Sequence, residues 1–359
     1  MSNIKEYYPL HVAKKTAECT RDIVFTPEEM RHLSKGVYSA EIKNHDIQAC
    51  AERVRKSGQM LSFRTYEDMS DENVQLCDFI STIHAWAENK QVYKFDSDFL
   101  QELIRTEDLH ITRDVFEFLP CSLMYFDFED CQYIQDTYDT PGAFVEVIKD
   151  EKQDSWEIHL FTMKGDTKYT RKVLPLKNED GDFSWDCAEL KWYMAFSLLD
   201  GNSERLNEKK RDVQYVLLIL HMLIYLSSIE PDVRESEATK RTYRPRTKGT
   251  PVKNKFSEIQ KHEVGVRFGT AFRKYSLHRV SEQGGTPYNT SKGKGSPKRP
   301  HYRKPHWSHY WYNKLDQNNE PVYNVYGVVE KVKRPKWIAA VNVNEKYGES
   351  DVVIHTVKN

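Results

Sequence analysis

Hydrophobic residues in the first third of the chain recur at the spacing of helices. Val74, Phe79, Ile83 and Trp86 fall three to five positions apart, which places them along one side of a helix. Thr26-Pro27, followed by two glutamates, is typical of the first turn of another helix. We therefore predict a helical N-terminal region over residues 1–117.

The periodicity changes to that of short strands at residue 118. Four runs rich in β-branched and aromatic residues are separated by Pro141-Gly142, by a polar stretch at 150–154 and by Gly165-Asp166. Short strands divided by such turn residues predict an antiparallel meander. The four runs cover residues 122–128, 143–149, 155–163 and 168–176.

Two further helices are expected after the meander, over residues 186–199 and 204–229. The second is apolar on nearly every side, so we expect it at the centre of the core. Its stretch 213–229 contains Gln214 and His221 and falls short of the roughly 20 apolar residues that cross a bilayer. A buried helix, without membrane association, is therefore predicted, and residues 118–230 are expected to form one region of meander plus helices.

The last third of the chain is more basic. Residues 231–256 are rich in Pro, Thr, Lys and Arg and are predicted to be a basic linker. Residues 257–359 are expected to form a basic and aromatic α+β region, with a loop at 284–300 and strands at 322–331, 337–344 and 352–357. The predicted fold class is α+β, with a helical N-terminal part, an antiparallel β meander, a central buried helix and a β-rich basic C-terminal part.

The composition is that of a folded protein. The chain has 359 residues, 39% of them hydrophobic and 12% aromatic, and a formal net charge of −1, which excludes a disordered class. Six scattered cysteines without a Cys-x-x-Cys pair, and no secretory leader pattern in the first 30 residues, predict reduced thiols. We expect a cytoplasmic location. The family resemblance described below implies that this is the cytoplasm of a bacterial host cell.

The near-neutral total conceals two opposed blocks of charge. Residues 96–157 contain 17 Asp or Glu against four Lys or Arg, whereas residues 240–314 contain 19 Lys or Arg against three Glu. Such asymmetry indicates either a polyanionic partner for the basic block or docking of one block on the other. The counts alone do not choose between these two interpretations.

Residues 299–312 carry the densest candidate chemistry. Basic side chains such as Arg299, Arg303 and Lys304 are interleaved with histidines and aromatic residues, a combination that neutralises phosphates and stacks unpaired bases. If residues 306–312 are extended, Trp307, His309 and Trp311 share one face and Tyr310 lies on the other. We then expect one face to enter the core and the opposite face to stay open.

Besides binding, the histidines allow two other interpretations, a metal site and an acid–base catalytic site. A zinc site needs three or four convergent ligands, but His306 and His309 would point to opposite sides of a strand, so no metal ligand is predicted. A histidine pair could also activate a 2′-hydroxyl in RNA. We predict no catalytic residue, no cofactor and no metal, and leave open a metal-independent ribonuclease that uses His301, His306 or His309.

Three segments resemble a known family. Residues 264–273 (VGVRFGTAFR), 299–311 (RPHYRKPHWSHYW) and 336–344 (KWIAAVNVN) resemble the second type V-A anti-CRISPR family, whose members are carried by phages and mobile genetic elements. Further similarity lies in residues 217–233 and 119–147, so the resemblance spans about 120–345.

The resemblance implies an inhibitor that lowers production of the type V-A effector nuclease, Cas12a. Such a protein would recognise the nascent N-terminal polypeptide of the effector and cause loss of its mRNA, so its expected partners are that polypeptide and RNA or a translating ribosome. A pure protein-interaction module remains the alternative outside the nucleic-acid class. The residues predicted to bind RNA or a partner are Arg267, Arg273, Arg299, His301, Arg303, Lys304, His306, Trp307, His309, Tyr310, Trp311 and Trp337.

Overall fold

The structure is a computed structural model, and it describes most of the chain. The described residues are 7–19, 25–35, 37–56, 65–104, 106, 110–111, 113–150, 155–164, 168–176, 185–186, 203–236, 259–273, 301–303, 305–316, 320–338 and 341–343.

The chain divides into two compact units, each assembled from three separate stretches. The first comprises residues 1–94, 121–182 and 234–263, and the second comprises residues 95–120, 183–233 and 264–359. The four regions expected from the sequence (1–117, 118–230, 231–256 and 257–359) remain a prediction.

Two of the five described helices of the first unit, α2 and α4, begin at residues whose side chains cap the first turn. The helices are α1 (Tyr8–Cys19), α2 (Pro27–Ser34), α3 (Ala40–Lys56), α4 (Asp71–Asn89) and α6 (Gln132–Tyr138). At α2, Thr26 Oγ1 accepts a hydrogen bond from the Glu29 backbone and Glu29 returns one from the Thr26 backbone, so two unpaired amides of the first turn are satisfied. The predicted start of this helix is confirmed.

A mixed seven-stranded sheet forms the body of the first unit. Its order is β6-β5-β4-β3-β1-β9-β8, and β3 to β6 are consecutive antiparallel neighbours, which confirms the predicted meander. The strands are β1 (Gln91–Phe95), β3 (Leu123–Asp127), β4 (Gly142–Asp150), β5 (Ser155–Lys164), β6 (Lys168–Leu176), β8 (Val233–Glu235) and β9 (Gln260–Val264).

The core of the first unit lies between this sheet and α4. Trp86 is completely buried, with its ring edge-on to Phe144 at 5.3 Å and to Tyr125 at 6.3 Å between centroids. Its indole N–H donates to the carbonyl of Gln91 at 2.9 Å. The helical spacing read from α4 therefore identified a face that enters the core.

The prediction of an all-helical N-terminal region was wrong at β1. Residues 91–95 (QVYKF) form a strand that pairs in parallel with β3, with Val92 opposite Tyr125 and Lys94 opposite Asp127. Lys90 ends α4 in the left-handed conformation, with φ of 48°, and so turns the chain from helix to strand within one residue.

The second unit contains a long central helix and an extended hairpin. It includes α5 (Ser97–Ile104), the 3₁₀ helix Arg113–Phe118, α7 (Ser203–Ser227) and α8 (266–273). Residues 215–228 of α7 and its C-terminal end are all buried, which confirms the predicted central helix. The paired strands are β2 (His110–Ile111) with β7 (Trp185–Asp186), β10 (His301–Arg303) with β13 (Val341–Val343), and β11 (His306–Asn313) with β12 (Lys331–Ile338).

Several predicted bounds in the last third are corrected. The linker expected at 231–256 includes β8, because Val233–Glu235 joins the edge of the sheet. The strand expected at 322–331 is mostly turns, and that expected at 337–344 is divided between β12 and β13. The helix expected at 186–199 begins in β7 and otherwise lies outside the described residues, as do the strand at 352–357 and the loop at 284–300.

None of the described helices combines the length and the apolar character that crossing a bilayer requires.

Candidate functional site

The β11–β12 ladder carries six of the predicted site residues, the sixth being His306 opposite Ile338. In its register Trp307 lies opposite Trp337, His309 opposite Pro335, Tyr310 opposite Arg334 and Trp311 opposite Lys333. Because side chains alternate along a strand, Trp307, His309 and Trp311 share one face, as predicted.

The inner end of this face is part of the core. Trp337 is only 6% exposed, and its ring lies edge-on to Phe99 at 5.0 Å and to Phe268 at 5.1 Å. Tyr225 of α7 completes the enclosure at 6.3 Å. Trp307 is buried opposite Trp337, so these two tryptophans anchor the hairpin to the second unit.

At the inner end of the ladder the two faces differ as strand alternation predicts: Trp307, Pro335 and Trp337 are buried, and their neighbours on the opposite face are only partly buried. Farther out the expected burial of this face is lost, because Trp311, on the same face as Trp307, is 66% exposed, and Tyr310 on the opposite face is 43% exposed. The inner end of the face is buried because the rings of Phe99, Tyr225 and Phe268 contact Trp337.

Arg267 and Arg273 are both engaged by carboxylates. Arg267 donates to Asp232 from its backbone N–H and from Nε, each at 2.7 Å. Arg273 contacts both oxygens of Asp96 and one of Asp98, and the hydrogen bond to Asp98 is the main cause that raises its pKa. These predicted binding arginines already hold α8 to the neighbouring segments, although both side chains retain exposed surface.

Arg334 is a positioning residue that the sequence did not single out. Its guanidinium lies 4.0 Å from the ring centroid of Phe118 and donates to the carbonyl of Ser227 at 3.0 Å. Burial lowers its pKa. The backbone N–H of Ile229 also donates to the carbonyl of Pro335, so β12 is hydrogen-bonded to the C-terminal end of α7.

Part of the predicted site lies outside what the structure describes. Arg299 and Lys304 are outside the described residues, and only the backbone of His301 and Arg303 is described, within β10. That backbone pairs with β13, with His301 opposite Val343 and Arg303 opposite Val341.

The two histidines of β11 point to opposite sides of the strand. His306 and His309 are separated by three positions in an extended segment, so their imidazoles cannot converge on one ion or one hydroxyl. Among the described residues, no group of three His, Cys, Asp or Glu side chains is arranged to hold a metal ion. Within β11, His306 and His309 therefore do not form a histidine pair.

Beyond the ladder the hairpin opens into two small lobes. Lys314 N–H donates to Glu330, Glu330 N–H to Val322, and Val322 N–H to Lys314, each at 2.8 Å, and these three bonds close a cycle. The described residues 314–316 and 320–322 belong to one lobe, and residues 322–330 form the other. We call residues 306–313 and 331–338 the stem of the hairpin, and residues 314–316 and 320–330 its tip.

A buried charge cluster in the first unit was missed by sequence analysis. Lys35, at the end of α2, contacts Asp78 and Thr82 of α4, and it lies 2.8 Å from Glu146 of β4. Arg31 and Arg171 supply further positive charge to Glu146 and Asp78. No local pattern reveals this cluster, because its members come from two helical segments and three strands.

His159 links the cluster to a third carboxylate. Its Nδ1 lies 2.8 Å from Asp78 and its Nε2 lies 3.1 Å from Glu157, so both ring nitrogens face acceptors. Burial alone would raise the pKa of Asp78, but the hydrogen bond from His159 and the charges of Lys35 and Arg171 outweigh it and hold that pKa well below its usual range.

Comparison with known protein families shows to which family this chain belongs. Residues 93–345 match the AcrVA2-like family, described as the anti-CRISPR type V subtype A2 family. The chain belongs to this family. The resemblance read from the sequence is thereby confirmed, and the match includes every predicted site residue.

The AcrVA2-like fold extends over nearly the whole chain. A solved structure described as the crystal structure of AcrVA2 covers 94% of this chain and 99% of its own, with a TM-score of 0.50 and 16% identity. At that identity the likeness establishes a shared fold. Comparison with curated proteins gave no match.

Proposed function

We propose that this AcrVA2-like chain lowers production of the type V-A effector nuclease Cas12a. In this proposal it binds the nascent N-terminal polypeptide of the effector and promotes loss of the mRNA being translated. Its partners are that polypeptide and RNA or the translating ribosome, in the cytoplasm of a bacterial host cell. The observation that carries the proposal is membership of an anti-CRISPR family over residues 93–345.

Charge and aromatic content support the RNA part of the proposal. In the sequence, Arg299, Arg303, Lys304 and two histidines fall within residues 299–306, which end at the first residue of β11, and positive charge of this density suits phosphate neutralisation. Arg267 and Arg273 contribute less, because each is already paired with a carboxylate. We therefore assign RNA contact to residues 299–306 in preference to α8.

The polypeptide part is tested with three reporters in bacteria that express this chain. The first fuses the coding segment for the Cas12a N-terminus to a fluorescent protein. The second encodes the same peptide with synonymous codons, and the third shifts the reading frame within the segment and restores it before the reporter. Fluorescence and reporter mRNA are expected to fall for the first two and to stay unchanged for the third.

The same experiment can contradict the proposal. A response to the frameshifted reporter, together with no response to the recoded one, would mean that RNA sequence is recognised and the peptide is not. Unchanged mRNA with inhibition of preassembled Cas12a would instead place the action after synthesis.

RNA contact is tested separately with purified full-length chain. Binding of a labelled RNA is followed by fluorescence anisotropy across a salt titration, and the affinity of a phosphate-contacting protein falls as salt rises. The variant R303A/H306A is expected to bind at least tenfold more weakly than the wild type. Lys15→Ala, an exposed lysine on α1, is the matched control, and equal loss in both variants would remove the assignment.

A further inference from the structure

The exposed apolar side chains of the protein are concentrated on one hairpin. Ten large hydrophobic side chains of the described residues are exposed, and seven of them lie between residues 306 and 338. At the tip, Val325 is 93% exposed and Tyr326 is 86% exposed. The seven are Tyr310, Trp311, Leu315, Tyr323, Val325, Tyr326 and Val328.

The conformation of the tip is fixed in spite of this exposure. Asn324 Oδ1 accepts hydrogen bonds from the backbone N–H groups of Tyr326 and Val328, and Gly327 takes a positive φ of 74°. The cycle of hydrogen bonds among residues 314, 322 and 330 holds both lobes at their base. A surface that is ordered in advance loses little conformational entropy on binding.

The hairpin is also divided by charge. The stem contains Lys331, Lys333, Arg334 and Lys336 without a carboxylate, whereas the tip contains Asp316, Glu320 and Glu330 against the single Lys314. Within the described residues, the side chains of Glu320, Lys331 and Lys333 have no ionic partner. The acidic tip disfavours RNA and an anionic membrane as its occupant, because both are polyanions.

Stem and tip are complementary to each other when two hairpins lie antiparallel. A two-fold axis near the junction of residues 314, 322 and 330 would bring the acidic, apolar tip of each copy against the basic, aromatic stem of the other. Opposite charge on stem and tip therefore indicates a second copy of the same hairpin as the occupant.

We propose that this chain forms a two-fold homodimer through residues 306–316 and 320–338, with the tip of each copy packed on the stem of the other. Trp311, predicted from the sequence to bind RNA or a partner, then contacts a second copy of the chain. This inference does not depend on the proposed function.

The oligomeric state of the full chain tests the inference by sedimentation equilibrium. The wild type is expected to show a concentration-dependent mass approaching twice the 42.3 kDa of one chain. V325S/Y326S is expected to weaken dimerisation at least tenfold, and Leu76→Ser, an exposed leucine on α4, serves as the matched control. A single-chain mass for the wild type up to about 100 µM would overturn the inference.

Charge reversal tests the pairing of stem with tip. K333E lowers the charge of the stem from +4 to +2 and brings a carboxylate to the acidic tip of the second copy. E320K raises the charge of the tip from −2 to 0 and brings an ammonium group to the basic stem, so each variant alone is expected to dimerise at least tenfold more weakly than the wild type. In an equimolar mixture both contacts regain opposite charges at these positions, and dimers of mixed composition are expected. Dimerisation of K333E alone as strong as that of the wild type, or a mixture that associates no more strongly than either variant, would contradict the arrangement.

Discussion

Lys35 and Glu146 form a salt bridge that has no access to solvent. Lys35 Nζ lies 2.8 Å from Glu146 Oε2, and the exposed fractions of the two side chains are 0% and 1%. The same ammonium group contacts Asp78 and Thr82. Three carboxylates and three permanent cations thus neutralise one another between α2, α4 and the sheet.

Removing the cation should be costly because it leaves buried carboxylates without compensation. Lys35→Met is expected to lower the free energy of unfolding by about 3–5 kcal/mol. Lys15→Met, which disrupts only a solvent-exposed pair with Glu18, should change it by less than about 0.5 kcal/mol. Urea unfolding followed by tryptophan fluorescence compares the two, and equal midpoints would contradict the importance of the cluster.

Acid should destabilise the first unit through the same carboxylates. The pKa values of Asp78, Asp127 and Glu146 are all held below their ordinary values: burial opposes this, and contacts with Lys35, Lys261 and His159 outweigh it. A carboxyl group with a lowered folded-state pKa stabilises the protein above its unfolded-state pKa of about 4 and loses that contribution as the pH falls further.

The urea midpoint is therefore expected to be steady from about pH 7 to 5 and to fall progressively below about pH 4. Asp78→Asn should reduce the steepness of that fall, because it removes one of the groups that must take up a proton. A midpoint independent of pH across this range would show that these carboxylates do not stabilise the fold.

The two tryptophans Trp337 and Trp311 should respond to truncation in opposite ways. Trp337→Ala opens a cavity among Phe99, Tyr225 and Phe268 and should cost about 3–5 kcal/mol of stability. Trp311→Ala, at an exposed position, should change the stability of the monomer by less than about 0.5 kcal/mol. Thermal unfolding at submicromolar chain concentration measures both, and similar losses would contradict the gradient of burial along the stem.

Gly265 and Gly327 have the same backbone conformation in different surroundings. Their φ angles are 73° and 74°, but a Cβ at Gly265 would lie 2.0 Å from the Phe99 ring, whereas a Cβ at Gly327 would meet nothing within 4 Å. Gly327→Ala should cost about 1 kcal/mol for backbone strain alone. Gly265→Ala should cost more than about 2 kcal/mol, and an equal effect in thermal unfolding would argue against the close contact with Phe99.

Local sequence patterns were sufficient to predict the meander and the central helix. The strands from Leu123 to Leu176 are consecutive neighbours, so turn residues and alternation determine their pairing. The helix over 203–227 is long, and its stretch 215–227 is apolar on nearly every side. In both cases the information lies within a few residues of the element that it specifies.

Features assembled from distant segments could not be predicted in this way. β1 is a five-residue strand whose partners, β3 and β9, lie far along the chain. Val92, Tyr93 and Phe95 favour a strand, but the run is short and follows directly on the helical pattern of α4. Arg267 reads as a free basic residue until the fold brings Asp232 to it. The difference in exposed fraction between Trp307 and Trp311 likewise depends on which positions of the hairpin contact the rest of the second unit.

The position of β9 in the sheet affects how this protein itself must be synthesised. β1 ends at Phe95, but its neighbour on one side begins only at Gln260. While the intervening chain is made, the edge of β1 remains without its β9 partner, and unpaired edges invite aggregation. The native sheet is therefore completed late in elongation, and a chain truncated before Gln260 should require chaperones to remain in solution.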